Sequence, residues 1–359
     1  MAEGKGRMTD RERVEALLRR EKPDRVPNWP AMAFGFCTLY YGGTIADAYS
    51  KPDVLLAAER KACQDFGWVF YPLMAFPASL STEFGGDIKL PSGDFAQAPM
   101  VTRFAVETEE DVWNLKMPDV RTAGSAPTMM EFCKLSSQEW LDNEPFNVMA
   151  WMGGPFTCAA QICGIEKMSR WTLKKPEVAH RLLRLTVDYY IELAQYWKET
   201  FGTEGVLPFY GEPAAANQII SPKQFEQFAM PYIKETNETL LAMGYKHILV
   251  HICGEQNLNL PYWAQTPFGD PGIISIGHEV EIETAAKYFP NDIIFGNLEP
   301  AIIQVRTPEE VYEATRKNIE DGKKIPQGYI FSPGCELPPR APVENVMAMT
   351  RAVNDFGWY

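Results

Sequence analysis

The sequence predicts one α/β domain, a (β/α)8 (TIM) barrel, and three observations carry that prediction. Eight short apolar or β-branched runs, each closed by Gly, Pro or a polar cluster, can be marked along the 359 residues. Segments with helical spacing separate most of them, and a strand, helix, strand repetition implies parallel pairing. Several runs are apolar on both faces, as barrel strands are when side chains fill the inside and helices cover the outside. The catalytic barrel is expected over residues 26–359, behind an N-terminal helical extension over residues 1–25.

The extension is read from residues 9–20. Thr9 and Glu12 make a capping box, and Val14, Leu17 and Leu18 share one face, so a helix precedes the first strand and is expected to cover the barrel floor. The strand runs are residues 26–32, 68–74, 147–152, 206–210, 247–252, 272–276, 293–296 and 329–332. A long intervening helix is expected over 176–200, where Val178, Leu182, Leu185, Tyr189, Leu193 and Tyr196 recur at helical spacing. The gap between the second and third runs is far longer than one crossover helix requires. Within it, residues 83–106 read as short extended pieces broken by Gly85-Gly86 and Pro91-Ser92-Gly93, a β-rich insertion lying over one end of the barrel as a lid or binding loop.

Composition removes several function classes. Thirty-four Lys and Arg against 47 Asp and Glu leave a net charge of -13, which repels a phosphate backbone, so no nucleic acid partner is expected. No apolar run is long enough to span a bilayer, and Met1-Ala2-Glu3-Gly4-Lys5-Gly6-Arg7 leads into charged helix, so neither membrane nor export is expected. Seven cysteines spread through a long chain suit a reducing cytoplasm better than a disulfide scaffold.

Reactive groups of such barrels gather at the C-terminal ends of the strands. The fourth run leads into Tyr210-Gly211-Glu212-Pro213 and the fifth into His251-Ile252-Cys253-Gly254-Glu255. The seventh leads into Gly296-Asn297-Leu298-Glu299-Pro300 and the eighth into Ser332-Pro333-Gly334-Cys335-Glu336. His251 and Cys253 are two apart, hence on one face of a strand end. Cys335 follows much later, yet the fifth and eighth strands open onto one mouth. One imidazole and two thiolates form a three-ligand zinc site with a position left open, the catalytic rather than the structural pattern. Core packing is the alternative, because free Cys is among the most buried residue types. Cys37, Cys63, Cys133, Cys158 and Cys163 read as core, and His180, His247 and His278 as local hydrogen-bonding groups.

A wider set of motifs carries a resemblance. Met8-Thr9-Asp10-Arg11-Glu12-Arg13 with Pro23-Asp24-Arg25-Val26-Pro27, Ser221-Pro222-Lys223 with Phe228, Pro231 and Tyr232, and the strand-end motifs at His251, Gly296 and Gly334 resemble the uroporphyrinogen decarboxylase superfamily nearly end to end. Within it, His-x-Cys followed by a late Cys is similar to the zinc- and corrinoid-dependent methyltransferases of the methylcobamide:coenzyme M type. The resemblance implies a barrel, Zn2+ on His251, Cys253 and Cys335, and a corrinoid (cobalamin) methyl carrier. One departure matters. The decarboxylases grip substrate carboxylates with an early Arg-Gln-Ala-Gly-Arg segment, where this chain has Trp29-Pro30-Ala31-Met32-Ala33-Phe34-Gly35-Phe36, so the guanidinium clamp is missing.

Zinc can activate an acceptor thiol or polarise the atom bearing a donor methyl, and the ligands alone do not choose. Trp29, Phe34, Phe36, Tyr71, Trp151, Phe209, Tyr210 and Trp263 are expected near the mouth, and rings line pockets for flat apolar ligands. Trp29, Phe34, Tyr71 and Trp151 are therefore read as substrate-binding, and the favoured expectation is O-demethylation of a methoxylated aromatic compound onto cob(I)alamin. Glu212 is expected as a displaceable ligand or orienter, with Glu255 and Tyr210 as hydrogen-bonding or proton-donating groups; Glu299 also lies at a strand end. Nothing resembles a cobalamin cradle, so the corrinoid is expected on a separate carrier protein, with a small molecule as methyl donor. A homodimer is compatible with an acidic barrel of this size. The alternatives are a methylcobalamin:coenzyme M methyltransferase, a metal-free uroporphyrinogen decarboxylase-like enzyme, and a zinc-binding scaffold without turnover.

Overall fold

The computed structural model describes residues 7–92, 98–139 and 146–359. Gly93 of the expected break, and Met1 to Gly6 at the start, lie outside the described residues. The first helix, Asp10–Leu18, is capped by Thr9 and Glu12 as the spacing predicts: Glu12 N donates to Thr9 Oγ1 at 3.2 Å and Thr9 N to Glu12 Oε2 at 2.6 Å. Its buried face sends Val14 and Leu17 into the same cluster as Leu207, Leu249, Ile273 and Ile293, so it plugs the barrel floor. Arg13 and Arg25 both hold Asp10, at 2.8 and 2.7 Å, fastening the helix to the chain entering the barrel.

The insertion contains an antiparallel hairpin of β1 (Asp87–Lys89) and β2 (Met100–Arg103), with Asp87 and Arg103 paired across it at 2.6 Å. Six parallel strands follow in chain order: β3 (Val148–Trp151), β4 (Val206–Gly211), β5 (Leu249–Ile252), β6 (Ile273–Ile276), β7 (Ile293–Leu298) and β8 (Tyr329–Pro333). The long helix Pro176–Phe201 covers the outside between β3 and β4. No helix among the described residues is long and apolar enough to cross a membrane.

Two of the eight expected strands are not regular. Residues 26–32 and 68–74 form no continuous ladder: Trp29 N donates to Phe331 O and Phe331 N to Pro27 O, each at 3.0 Å, Val69 N donates to Asn28 O at 2.9 Å, and a tight turn closes Ala31 N onto Trp29 O at 2.9 Å. Pro27, Pro30 and Pro72 supply no N–H, so a continuous ladder cannot form there. The first segment nevertheless runs beside β8 and the second beside the first, and Tyr71 meets Phe146 just before β3 at 5.5 Å between rings. The ring is a (β/α)8 barrel in which two staves are irregular.

Strand alternation sorts the core into two shells. Leu207, Phe209, Leu249, Ile273, Ile293, Phe295 and Ile330 point inward with Trp29 and Tyr71. Val206, Tyr210, Val250, Ile252, Ile274, Ile276, Tyr329 and Phe331 pack outward against the helices. Near the top of the inner shell this alternation places two polar side chains, His251 on β5 and Ser275 on β6, in register with each other.

Candidate metal centre

His251 and Cys253 project from the end of β5 on its inward side, by the period of two that also turns Leu249 inward. Cys335 reaches them from beyond β8 because its loop folds tightly over the neighbouring strand ends. Gly334 N donates to Leu298 O at 2.7 Å, and a Cβ on Gly334 would lie 2.9 Å from His278 N and 3.0 Å from Asn297 O. Only a residue without a side chain passes there. The outcome is a cluster in which one ligand atom each of His251, Cys253 and Cys335 lie within 4.8 Å of one another, the two sulfurs 3.9 Å apart.

His251 Nδ1 lies 3.0 Å from Ser275 Oγ, while Nε2 is buried and makes no hydrogen bond among the described residues. Contact with Cys253, aided by His251, holds the Cys335 thiol well below its ordinary 9.0, and the same contact pushes the Cys253 thiol up. One negative charge is accommodated by the pair, and a second thiolate repels the first unless a cation lies between them. An orphaned imidazole nitrogen, two convergent sulfurs and charge in need of a cation fit a borderline-soft ion such as zinc.

The other expected site residues are placed elsewhere. Glu212 is fully buried, and its carboxylate accepts from Phe156 N at 2.8 Å, Thr157 N at 2.9 Å and Thr157 Oγ1 at 2.6 Å. It therefore caps the helix Pro155–Cys163 instead of joining the cluster, and burial lifts its carboxyl to about 7. Gly154 leaves room for it, since a Cβ there would lie 2.2 Å from Glu212 Cδ. Tyr210 faces the outer shell, its hydroxyl accepting from Asn237 Nδ2 at 3.0 Å, so it cannot donate to a substrate inside the mouth. Glu255 folds back on its own loop, accepting from Asn257 N at 2.8 Å and Nδ2 at 2.7 Å. Glu299 borders a cavity of about 970 Å3 on the outside of the barrel, lined also by His278, Lys287, Lys317 and Asn318. None of the three cluster residues lines that cavity.

The rings expected around a substrate are mostly core. Trp29 is 1% exposed, with Tyr71 at 5.0 Å and Phe295 edge-on at 5.3 Å. Phe34 is buried against Tyr49, and Phe36 packs with Tyr40, Phe66 and Trp68 outside the barrel. Phe209 lies in the inner shell, and Trp263 is fully buried in the outer one. Of the four read as substrate-binding, Trp151 alone is not fully buried, and its Nε1 donates to Phe76 O at 3.2 Å with the ring edge-on to Phe209. Barrel interiors need large side chains as filling, and sequence spacing cannot separate filling from lining.

Two neighbours of the cluster were not singled out by the sequence. Ser275 is the one polar residue in the buried run Ile273-Ile274-Ser275-Ile276, and its inward register was the available signal. Glu336 follows Cys335 and has a buried Oε1 without a hydrogen bond; burial and the Cys335 charge push its carboxyl well up.

Residues 9–356 match the model of the family described as Uroporphyrinogen decarboxylase (URO-D). A methylcobamide:CoM methyltransferase, MtbA, of Methanosarcina acetivorans is 28% identical over 355 residues, covering 97% of this chain and 98% of that one. A methylated-thiol–coenzyme M methyltransferase of Methanosarcina mazei is 26% identical over 266 residues, covering 73% of this chain and 66% of its own. The solved structure of a methyltransferase from Methanosarcina mazei superposes with a TM-score of 0.81 at 19% identity, covering 97% of this chain and 99% of that one, which is a likeness of fold.

Proposed function

This chain belongs to the uroporphyrinogen decarboxylase (URO-D) family, and from that premise we propose that it is a corrinoid-dependent methyltransferase moving a methyl group from a methylcobamide to a thiol of the coenzyme M kind. The observation that carries the reading is the convergence of one imidazole and two thiols at the barrel mouth with the His251 Nε2 unpartnered. Relatives matched over nearly their whole length act on methylcobamide and coenzyme M, which supports thiol methylation over the O-demethylation of methoxylated aromatics. The aryl ether reading rested on rings at the mouth, and Trp29, Phe34 and Tyr71 are core instead. Decarboxylation of a polycarboxylate lacks its arginine clamp, because Trp29 to Phe36 supplies apolar packing.

His251, Cys253 and Cys335 would hold the zinc. Zn2+ bound there supplies Lewis acidity that lowers the pKa of an acceptor thiol at neutral pH. The chain's own part is preorganisation: β5 and the loop after β8 bring the donors together, and the close-packed inner shell below them keeps water out of the barrel. The overall reaction balances as methylcobamide plus thiol giving methyl thioether, the cob(I) form and one proton. In this reading the methylated corrinoid is a partner presented at the barrel mouth, which the methylcobamide:CoM methyltransferase relatives support.

The test is anaerobic incubation of zinc-loaded protein with methylcobalamin and coenzyme M. Loss of the methylcobalamin spectrum together with methyl thioether by mass spectrometry is expected, and Cys335→Ser abolishes both. Formation of methylcobalamin from cob(I)alamin and methoxybenzoates, with coenzyme M left unmethylated, overturns the proposal in favour of O-demethylation.

A further inference from the structure

We infer that Ser275 is a positioning residue whose hydroxyl accepts the Nδ1–H of His251 and so fixes the ring tautomer that leaves the Nε2 lone pair facing the two cysteines. The inference rests on the metal reading of the cluster above. Its geometry is on adjacent strands: His251 and Ser275 are partners across the β5–β6 ladder, both inward, with Nδ1 and Oγ 3.0 Å apart. Ser275 is fully buried between Ile274 and Ile276, and its inward neighbours are Ile273 below and Phe295 beside it in register. A hydroxyl in that apolar shell is costly unless it is hydrogen-bonded, and His251 is the partner it has.

The pairing has two states. If the serine donated to Nδ1, the proton would sit on Nε2 and occupy the position between the imidazole and the two sulfurs that a cation would take. If Nδ1 donates to the serine, Nε2 presents a lone pair toward Cys253 and Cys335, the arrangement a cation needs. A hydroxyl differs from a carboxylate in this position because it orients the ring without adding negative charge beside two thiolates. The ion would then keep more of its Lewis acidity than with an anionic partner.

The experiment uses the full chain, metal-free and zinc-loaded, as wild type and Ser275→Ala, which removes a single oxygen. Nitrogen NMR of labelled histidine resolves four rings, with His251 assigned by its loss in His251→Gln. Zinc affinity is read by competition with a chromophoric chelator. Metal-free wild type is expected to show His251 as the Nδ1–H tautomer alone, and Ser275→Ala as a mixture that binds zinc roughly 10-fold or more weakly. A wild-type ring protonated on Nε2, or a Ser275→Ala ring that keeps one tautomer, overturns the inference whatever happens to affinity. Where wild type binds zinc, equal affinity in Ser275→Ala overturns it as well. The expected tautomers without zinc uptake by wild type would sustain the role of Ser275 and overturn the metal reading instead.

Discussion

Cys253 and Cys335 gain from being a pair only if something positive sits between them, since their sulfurs are 3.9 Å apart and the second thiolate is opposed by the first. Replacing Cys253 with Ser exchanges a soft donor for a hard one that keeps its proton. Elemental analysis of protein purified without oxygen or chelator is expected to fall from about one zinc per chain to near none. A second residue-scale consequence concerns Glu83, whose carboxylate accepts from Ser125 N at 3.2 Å and Oγ at 2.7 Å. Burial raises it from an ordinary 4.5 to about 7. The folded carboxyl keeps its proton up to about 7 while the unfolded one loses it near 4.5, so its contribution is full below 4.5 and is lost as pH rises to 7. Urea unfolding of wild type against Glu83→Gln is expected to favour wild type more at pH 5 than at pH 8, by on the order of 3 kcal/mol at most. Parallel stability profiles for the two proteins would contradict that assignment.

At the scale of elements, Glu212 joins the end of β4 to the start of the helix Pro155–Cys163. Its replacement by Ala strands two buried N–H groups and one hydroxyl, each worth about 1–3 kcal/mol when left unpaired. A fall of at least ~2 kcal/mol in unfolding free energy is expected, read from the urea midpoint. A direct metal ligand would behave differently, losing zinc with little change in the metal-free protein's stability. The N-terminal helix was legible from Thr9 and Glu12 because a capping box is a local interaction between residues three apart. The staves at 26–32 and 68–74 were legible as barrel positions. Their irregularity follows from prolines whose weight depends on which neighbour needs the missing N–H.

Across the whole molecule, the inner shell is a packed column from the floor plug of Val14 and Leu17 up to His251 and Ser275. Trp29 belongs to that column, so Trp29→Ala is expected to cost about 3–5 kcal/mol in stability. The KM for the thiol should stay as in wild type for the fraction that remains folded. A selective rise in KM at unchanged stability would return Trp29 to the substrate pocket. The net charge of -13 belongs to this scale too: on the proposed reading it would favour a partner that offers basic groups around its corrinoid.

The sequence by itself determined the barrel and the floor helix and brought His251, Cys253 and Cys335 forward as candidates, because strand period, capping and residue chemistry are properties of short stretches. Tertiary structure alone decided which way each carboxylate turned. Glu212 and Glu255 stand at strand ends as expected, yet a helix N-terminus and a neighbouring asparagine compete for them more strongly than the mouth does. It also decided that most of the rings are filling, since an inward side chain becomes lining only where the opposite wall is missing. Ser275 was decided last, because a serine in an apolar strand acquires meaning only when folding sets a histidine 3.0 Å away.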